Sequence, residues 1–101
     1  MYRFWAGEYH GWLYRTPFVK MPIKLGNTYN TAMLEPYTHN EELIYGFHSF
    51  TMLGSAVEFM RRYHENFIIC ECIIPRGSKY YHGVNHEIVS NKIIIQKPIQ
   101  L

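Results

Sequence analysis

The chain has 101 residues, of which 48% are hydrophobic and 18% are charged, and its formal net charge is +2. This composition predicts one globular domain over residues 1–101, and so weak a positive balance argues against nucleic acid as the partner. Two cysteines exclude a disulfide scaffold and favour a reducing, cytoplasmic setting. No apolar run approaches the roughly 20 residues of a membrane span, and no signal-peptide pattern opens the sequence.

The first half of the chain predicts short strands between irregular segments. Residues 1–5 alternate as a strand does, with Arg3 and Trp5 on one face and Phe4 on the other. Glycine and proline make the segment 6–30 largely irregular. Further short strands are predicted at residues 12–15, 29–33 and 43–48. Residues 35–42 are expected to form a surface loop.

One helix is predicted, over residues 51–64. Its apolar side chains recur at helical spacing and form a stripe that we expect to pack on the strand 67–74. The stripe consists of Leu53, Ala56, Val57 and Met60. The hydroxyl of Ser49 or Thr51 is expected to cap the first turn by accepting a hydrogen bond from the backbone.

The C-terminal third is rich in β-branched residues and predicts strands. The expected strands cover residues 67–74, 79–81, 87–90 and 92–96. Cys70 and Cys72 share one face of the first of them, and we expect both to be buried, reduced and free of metal. The whole predicts an α+β domain with a small, mostly antiparallel sheet and one main helix. No metal site is expected, because none of the six histidines has a zinc-binding spacing.

The segment 45–51, Tyr-Gly-Phe-His-Ser-Phe-Thr, is the densest candidate site. A strand that passes through glycine into a helix start can bind an anion or a ribose, because backbone N–H groups at a helix start lack partners. His48 would donate a hydrogen bond or stack at the rim. The alternative is purely structural: Ser49 and Thr51 act only as caps, and His48 makes a local hydrogen bond.

The same segment carries a resemblance. Residues 46–51 followed by Ala56 resemble the Gly-Phe-Tyr-x-Thr…Ala segment of small ADP-ribosyltransferase-like domains, with His48 in place of the tyrosine. Residues 2–5 resemble the first strand of those domains, which carries an arginine or histidine toward the nicotinamide ribose and the phosphates. In this sequence that residue is Arg3.

Two later segments extend the resemblance. Residues 72–81 and 87–95 are similar to uncharacterised small proteins of phages and large DNA viruses, and Glu87 stands nearest to the catalytic glutamate of the transferases. Arginine-modifying transferases usually have two glutamates separated by one residue, whereas this chain has Asn85 at the first position.

The resemblance implies an ADP-ribosyltransferase-like fold and a set of site residues. The ligand-binding set is Arg3, Tyr45, His48, Ser49, Thr51 and Tyr81. Glu87 would be catalytic only in an enzyme, which would use NAD, and no cofactor is expected otherwise. The structural alternatives are a solvated hairpin glutamate for Glu87 and an ordinary strand-edge cation for Arg3.

Three hypotheses follow. The first is a viral or phage accessory protein on a degenerate scaffold of this kind, which binds a nucleotide-derived ligand or a host protein in the host cytoplasm, for example in counter-defence. The second is an active NAD-dependent ADP-ribosyltransferase that uses Arg3, His48 and Glu87. The third is a homo-oligomeric interaction module whose exposed C-terminal strand adds to a partner's sheet. Convergence of those three side chains on one pocket is the geometric test of a site.

Overall fold

The computed structural model describes residues 2–9, 14–16, 22–30, 38–39, 42–43, 46–63, 67–83 and 85–99. The described chain forms an α+β domain of short strands and one helix, as the sequence predicts. In chain order the strands are β1 (Tyr2–Tyr9), β2 (Tyr14–Arg15), β3 (Pro22–Ile23), β4 (Thr28–Asn30), β5 (Thr38–His39), β6 (Glu42–Leu43), β7 (Phe47–Phe50), β8 (Phe67–Ile73), β9 (Tyr80–His82), β10 (Glu87–Ser90) and β11 (Lys92–Pro98). The helix α1 (Leu53–Tyr63) lies between β7 and β8 in the chain.

Nine of these strands form one sheet, and every pairing described in it is antiparallel. The main order is β4-β11-β8-β1-β7-β10-β9. In addition, β2 pairs with β1, and β3 pairs with β2. The strands β5 and β6 pair only with each other in the described chain. The central strand β1 pairs with β8 over all but its last residue, from Tyr2 opposite Ile73 to Glu8 opposite Phe67.

Both faces of the sheet are buried, and the central strand β8 is accordingly apolar except at Glu71. We call one the tryptophan face; its buried side chains are Trp5, Ile23, Phe47, Cys70, Cys72, Ile93 and Ile95. We call the other the helix face; its buried side chains, with those of the helix, are Ala6, Phe50, Ala56, Met60 and Ile69. Neighbouring residues of a strand belong to opposite faces, as Trp5 and Ala6 do.

The predicted helical stripe is confirmed. Ala56 and Met60 are completely buried, and Leu53 and Val57 pack against the same cluster from half-buried positions. The helix contacts β1 and β7 as well as the expected β8, so it covers the centre of the sheet. Its first turn opens with a hydrogen bond from the Ala56 N–H to the Met52 carbonyl, 3.3 Å long.

Three strand predictions need correction. The strand β1 continues to Tyr9, because β8 pairs with it through the glycine and glutamate at positions 7 and 8. Gly46 was expected inside a strand, but it has φ 117° and precedes β7. The strand β7 continues to Phe50 and lies between β1 and β10. The expected loop at 35–42 contains one strand of the β5–β6 hairpin and the start of the other.

The C-terminal strand β11 was expected to be exposed and free to pair with a partner. It lies instead between β4 and β8, with Ile94 opposite both Thr28 and Ile73. The strand β4 pairs with it from Lys92 to Ile94 and β8 pairs with it from Ile94 to Pro98, so β11 is not the fully free strand that this hypothesis assumed. Formation of homo-oligomers stays a prediction.

The two cysteines are free thiols and are completely buried on the tryptophan face, as expected. Burial raises the pKa of Cys70 and of Cys72 to about 12. Both thiols are therefore protonated at neutral pH, and neither has the exposed thiolate character of a reactive cysteine.

Candidate functional site

His48 and Glu87, which are distant in sequence, meet on the helix face. Their strands β7 and β10 are neighbours, with His48 opposite Val89 and Phe50 opposite Glu87. Phe50 belongs to the helix-face cluster, so the alternation of strand side chains places His48 and Glu87 on that face too. The His48 Nδ1 atom lies 3.3 Å from the Glu87 Oε2 atom.

In this His48–Glu87 pair the glutamate is buried and the histidine is largely buried. The side chains are 12% and 9% exposed, respectively. The interpretation of Glu87 as a solvated hairpin residue is therefore wrong. A carboxylate inside a protein needs a charged or hydrogen-bonding partner, and His48 occupies that place.

The contact has a direct chemical consequence for the imidazole. The Glu87 oxygen is a charge contact of Nδ1 that does not meet hydrogen-bond geometry, and its negative charge favours the proton on that nitrogen and keeps that side of the ring toward the carboxylate. In the neutral ring Nε2 is then the acceptor, whereas in the protonated ring both nitrogens are donors. The pair thus combines a carboxylate with an oriented imidazole, a combination that suits hydroxyl groups and proton transfer.

Gly83 makes room for the carboxylate, and the sequence analysis did not identify it. Its N–H donates to the Glu87 carbonyl across the β9–β10 hairpin, at 2.8 Å. A Cβ atom at position 83 would lie 2.9 Å from Glu87 Oε1 and 3.3 Å from Glu87 Cβ. Gly83 therefore puts no side chain between the carboxylate and this edge of the sheet. The only sequence signal was a glycine four residues before a glutamate at a turn.

The hairpin turn beside the pair is fastened to the start of α1. Asn85 and His86 both have left-handed backbone conformations, with φ 55° and 64°, which asparagine and histidine adopt more readily than most residues. The His86 carbonyl accepts from the Thr51 N–H at 3.0 Å and lies 3.5 Å from the Thr51 hydroxyl. The Ser49 hydroxyl lies 3.5 Å from the Ile88 carbonyl.

These contacts correct the capping prediction. Ser49 is a completely buried residue of β7, and Thr51 bonds to the β9–β10 turn. Both hydroxyls therefore face carbonyl oxygens of the neighbouring hairpin, where they act as donors and hold the hairpin in place.

Arg3 lies on the opposite face of the sheet from the pair. It shares the tryptophan face with Trp5 by strand alternation. Burial raises the pKa of Cys72, while the Arg3 charge and a hydrogen bond with Ser49 act in the opposite direction. Arg3 and Ser49 thus accompany Cys72, and the expected convergence of Arg3 with the His48–Glu87 pair is not met.

Tyr81 shares the helix face with the pair. It pairs with Val89, which pairs in turn with His48. Two strand spacings separate Tyr81 from His48, or about 10 Å between Cα atoms. Tyr81 is 38% exposed, so its ring is accessible beside the buried pair. Tyr45, the remaining predicted site residue, lies outside the described residues.

Comparison of the chain with family models, with curated proteins and with solved structures gave no match. Across the described ranges, no three histidine, cysteine, aspartate or glutamate side chains are grouped so that they can hold a metal ion. No helix in the part of the chain that the structure describes has the length and apolar character needed to cross a membrane.

Proposed function

We propose that this protein is a small binding domain on a degenerate ADP-ribosyltransferase-like scaffold, and that its ligand is nucleotide-derived. The His48–Glu87 pair is the centre of the site, with Tyr81 at its rim. The resemblance in sequence implies a viral or phage accessory protein in the host cytoplasm, where counter-defence or binding of a host protein would be its role.

The burial of the pair is the observation that carries this proposal. A buried ion pair contributes little to stability, because desolvation offsets the attraction, and apolar residues of similar size often stabilise as well. A buried pair of this kind is therefore weak evidence for a role in stability, which supports a role in binding. His48 and Glu87 also lie near the sheet edge at β9, where Gly83 leaves space beside the carboxylate.

The ligand class follows from the groups present. A carboxylate accepts hydrogen bonds from the hydroxyls of a ribose, and an oriented imidazole adds a second directional contact. The accessible ring of Tyr81 offers a surface for a base to stack on. A nucleoside presents both features at once, in agreement with the resemblance to NAD-binding domains.

The test is calorimetry with NAD, ADP-ribose and cyclic nucleotides on wild type, His48→Ala and Glu87→Gln. Loss of a hydrogen bond to a charged group costs about 1.5–3 kcal/mol, so Glu87→Gln should weaken binding roughly 10- to 150-fold. His82→Ala is the matched imidazole control, because His82 is exposed on the neighbouring strand β9. It should bind as wild type does.

Two further results decide between the hypotheses. Arg3→Ala should leave affinity unchanged, because Arg3 lies on the other face; a large loss there would contradict the site as described. Release of nicotinamide from NAD, abolished by Glu87→Gln with binding largely intact, would favour the transferase. If none of the nucleotides binds wild type at millimolar concentration, the proposed function is wrong.

A further inference from the structure

The strand β9 forms one end of the large sheet. It pairs with β10 on one side, with Tyr80 opposite Ser90 and His82 opposite Ile88. In the described part of the chain no strand pairs with its other side. All three of its residues are exposed.

The hydrogen bonds show which backbone groups face away from β10. Lys79 accepts at its carbonyl from the Asn91 N–H at 3.0 Å, and the Gly83 N–H donates to Glu87 at 2.8 Å. In an antiparallel pair, alternate residues direct both backbone groups to the same neighbour. Lys79 and Gly83 thus face β10, and so does the residue midway between them. The N–H and carbonyl groups of Tyr80 and His82 point outward.

The side chains along this edge suit an extended peptide. Tyr80 and His82 lie on one face with their rings edge to face, 5.7 Å apart between centroids. Tyr80 is 47% exposed. A strand that adds to an edge binds through its backbone and is recognised through alternate side chains, and the Tyr80 and His82 rings supply such a contact surface.

The charged residues near β9 favour an acidic peptide. Arg76 and Lys79 precede the edge, and Lys92 follows Asn91, whose Oδ1 accepts from the Lys79 N–H at 2.9 Å. None of these three cations forms an ion pair within the described ranges. After Glu71 the sequence contains one acidic residue, Glu87, and it is buried against His48. Among the described residues, the segment that leads into β9 therefore carries positive charge without a paired carboxylate.

We infer that β9 is an interaction edge for an extended, acidic peptide segment of another protein, which adds to the sheet as a further strand. A second copy of this chain is a poorer occupant, because its β9 edge has the same positively charged flank and offers no carboxylate to Arg76 and Lys79. This binding site is distinct from the proposed nucleotide site at His48 and Glu87, because the peptide would bind to the outward backbone groups of Tyr80 and His82.

The experiment uses fluorescence polarisation with a labelled synthetic peptide of alternating glutamate and valine. Its lysine–valine counterpart is the charge control. Tyr80→Pro removes an outward N–H without removing a hydrogen bond to β10, and Tyr80→Val is the matched variant that keeps the N–H. Wild type should bind the acidic peptide, and more weakly as salt rises from about 0.05 M to about 0.3 M. Tyr80→Pro should weaken binding roughly tenfold relative to Tyr80→Val.

Two measurements keep the inference testable if Tyr80→Pro does not fold. The Arg76→Glu/Lys79→Glu variant should lose the acidic peptide and gain the lysine peptide. Amide exchange in wild type should slow at Tyr80 and His82 when the acidic peptide binds, while Gly83 changes little. Any of four results would overturn the inference. They are equal binding of both peptides, no peptide binding by wild type, no change in amide exchange at Tyr80 and His82, and binding of single-stranded nucleic acid only. A wild-type dimer that forms through this edge in sedimentation equilibrium would also overturn it.

Discussion

The substitution Gly7→Ala tests how tightly the tryptophan face is packed. The indole of Trp5 lies along its own strand, over Gly7 two residues later, and Trp5 is 1% exposed. A Cβ atom at position 7 would fall inside van der Waals contact with three atoms of the ring, and the most distant of them, Cζ3, would be 2.7 Å away. The obstacle is a rigid ring in a packed core and not the end of a flexible side chain.

The expected loss of stability follows from two limits. Overpacking a core typically costs about 1–3 kcal/mol, and complete loss of a large aromatic from a core costs about 3–5 kcal/mol. Displacing Trp5 without deleting it lies between these limits, so we expect Gly7→Ala to lower the free energy of unfolding by about 2–4 kcal/mol. For a domain of this size that corresponds to a melting temperature roughly 10–30 °C lower.

Urea unfolding followed by circular dichroism and by tryptophan fluorescence measures this loss. Gly54→Ala is the matched control, because Gly54 lies in α1 and a Cβ atom there meets nothing within 4 Å. The same substitution should raise stability there, by up to about 1 kcal/mol. The double variant Trp5→Phe/Gly7→Ala should lose less stability than the sum of the two single variants, because the smaller ring leaves room for the added methyl group at position 7. If Gly7→Ala and Gly54→Ala shift stability in the same direction, the described packing of Trp5 is refuted.

Three further predictions concern the thiols, the site and the helix. Burial raises the pKa of Cys70 and Cys72 from 9.0 to about 12, so the unfolded chain loses these protons first. Stability should therefore fall as pH rises from about 9 toward about 12, by up to about 1.4 kcal/mol per pH unit for each thiol. Urea titrations of wild type and the double alanine variant should show a shallower decline in the variant, and parallel declines would contradict it. Gly83→Ala should displace the flexible Glu87 carboxylate, with a stability change below about 1 kcal/mol and weaker nucleotide binding in calorimetry; unchanged affinity would count against the site. Met60→Asp buries an unpaired charge under the helix and should remove the cooperative thermal transition, so a wild-type melting curve would exclude the helix packing.

The sequence predicted the elements whose local signal agrees with their environment. The predicted span of β10, residues 87–90, is the observed one. These four residues lie between a turn and a polar junction, and no helical spacing competes with the strand pattern there. The helix was predicted because its apolar spacing matches one face on the sheet. The end of β1 was missed because Gly7 and Glu8 have low strand propensity. Pairing with β8, which is distant in sequence, decides their conformation.

The candidate site was partly predictable for a related reason. His48 and Glu87 were both identified, but their contact depends on β7 and β10 being neighbours, which no local pattern reveals. Arg3 was grouped with them because the resemblance compares residue types along the sequence and does not show on which face of the sheet each side chain lies. One residue along a strand changes the face on which a side chain lies, and Arg3 and Ser49 both fall on the other side.

The position of β11 has a consequence for how the chain reaches its native state during synthesis. The strand β4 is made early, but in the described sheet it pairs only with β11, which is made more than sixty residues later. The ladder between β1 and β8 likewise joins segments about sixty residues apart along the chain. Sheets built from such distant pairings fold in milliseconds to seconds, because a large loop must close before the contacts form. Until then the edges of β4 and β8 stay open to other chains, so a ribosome that stalls before β11 would release a nascent product prone to aggregation.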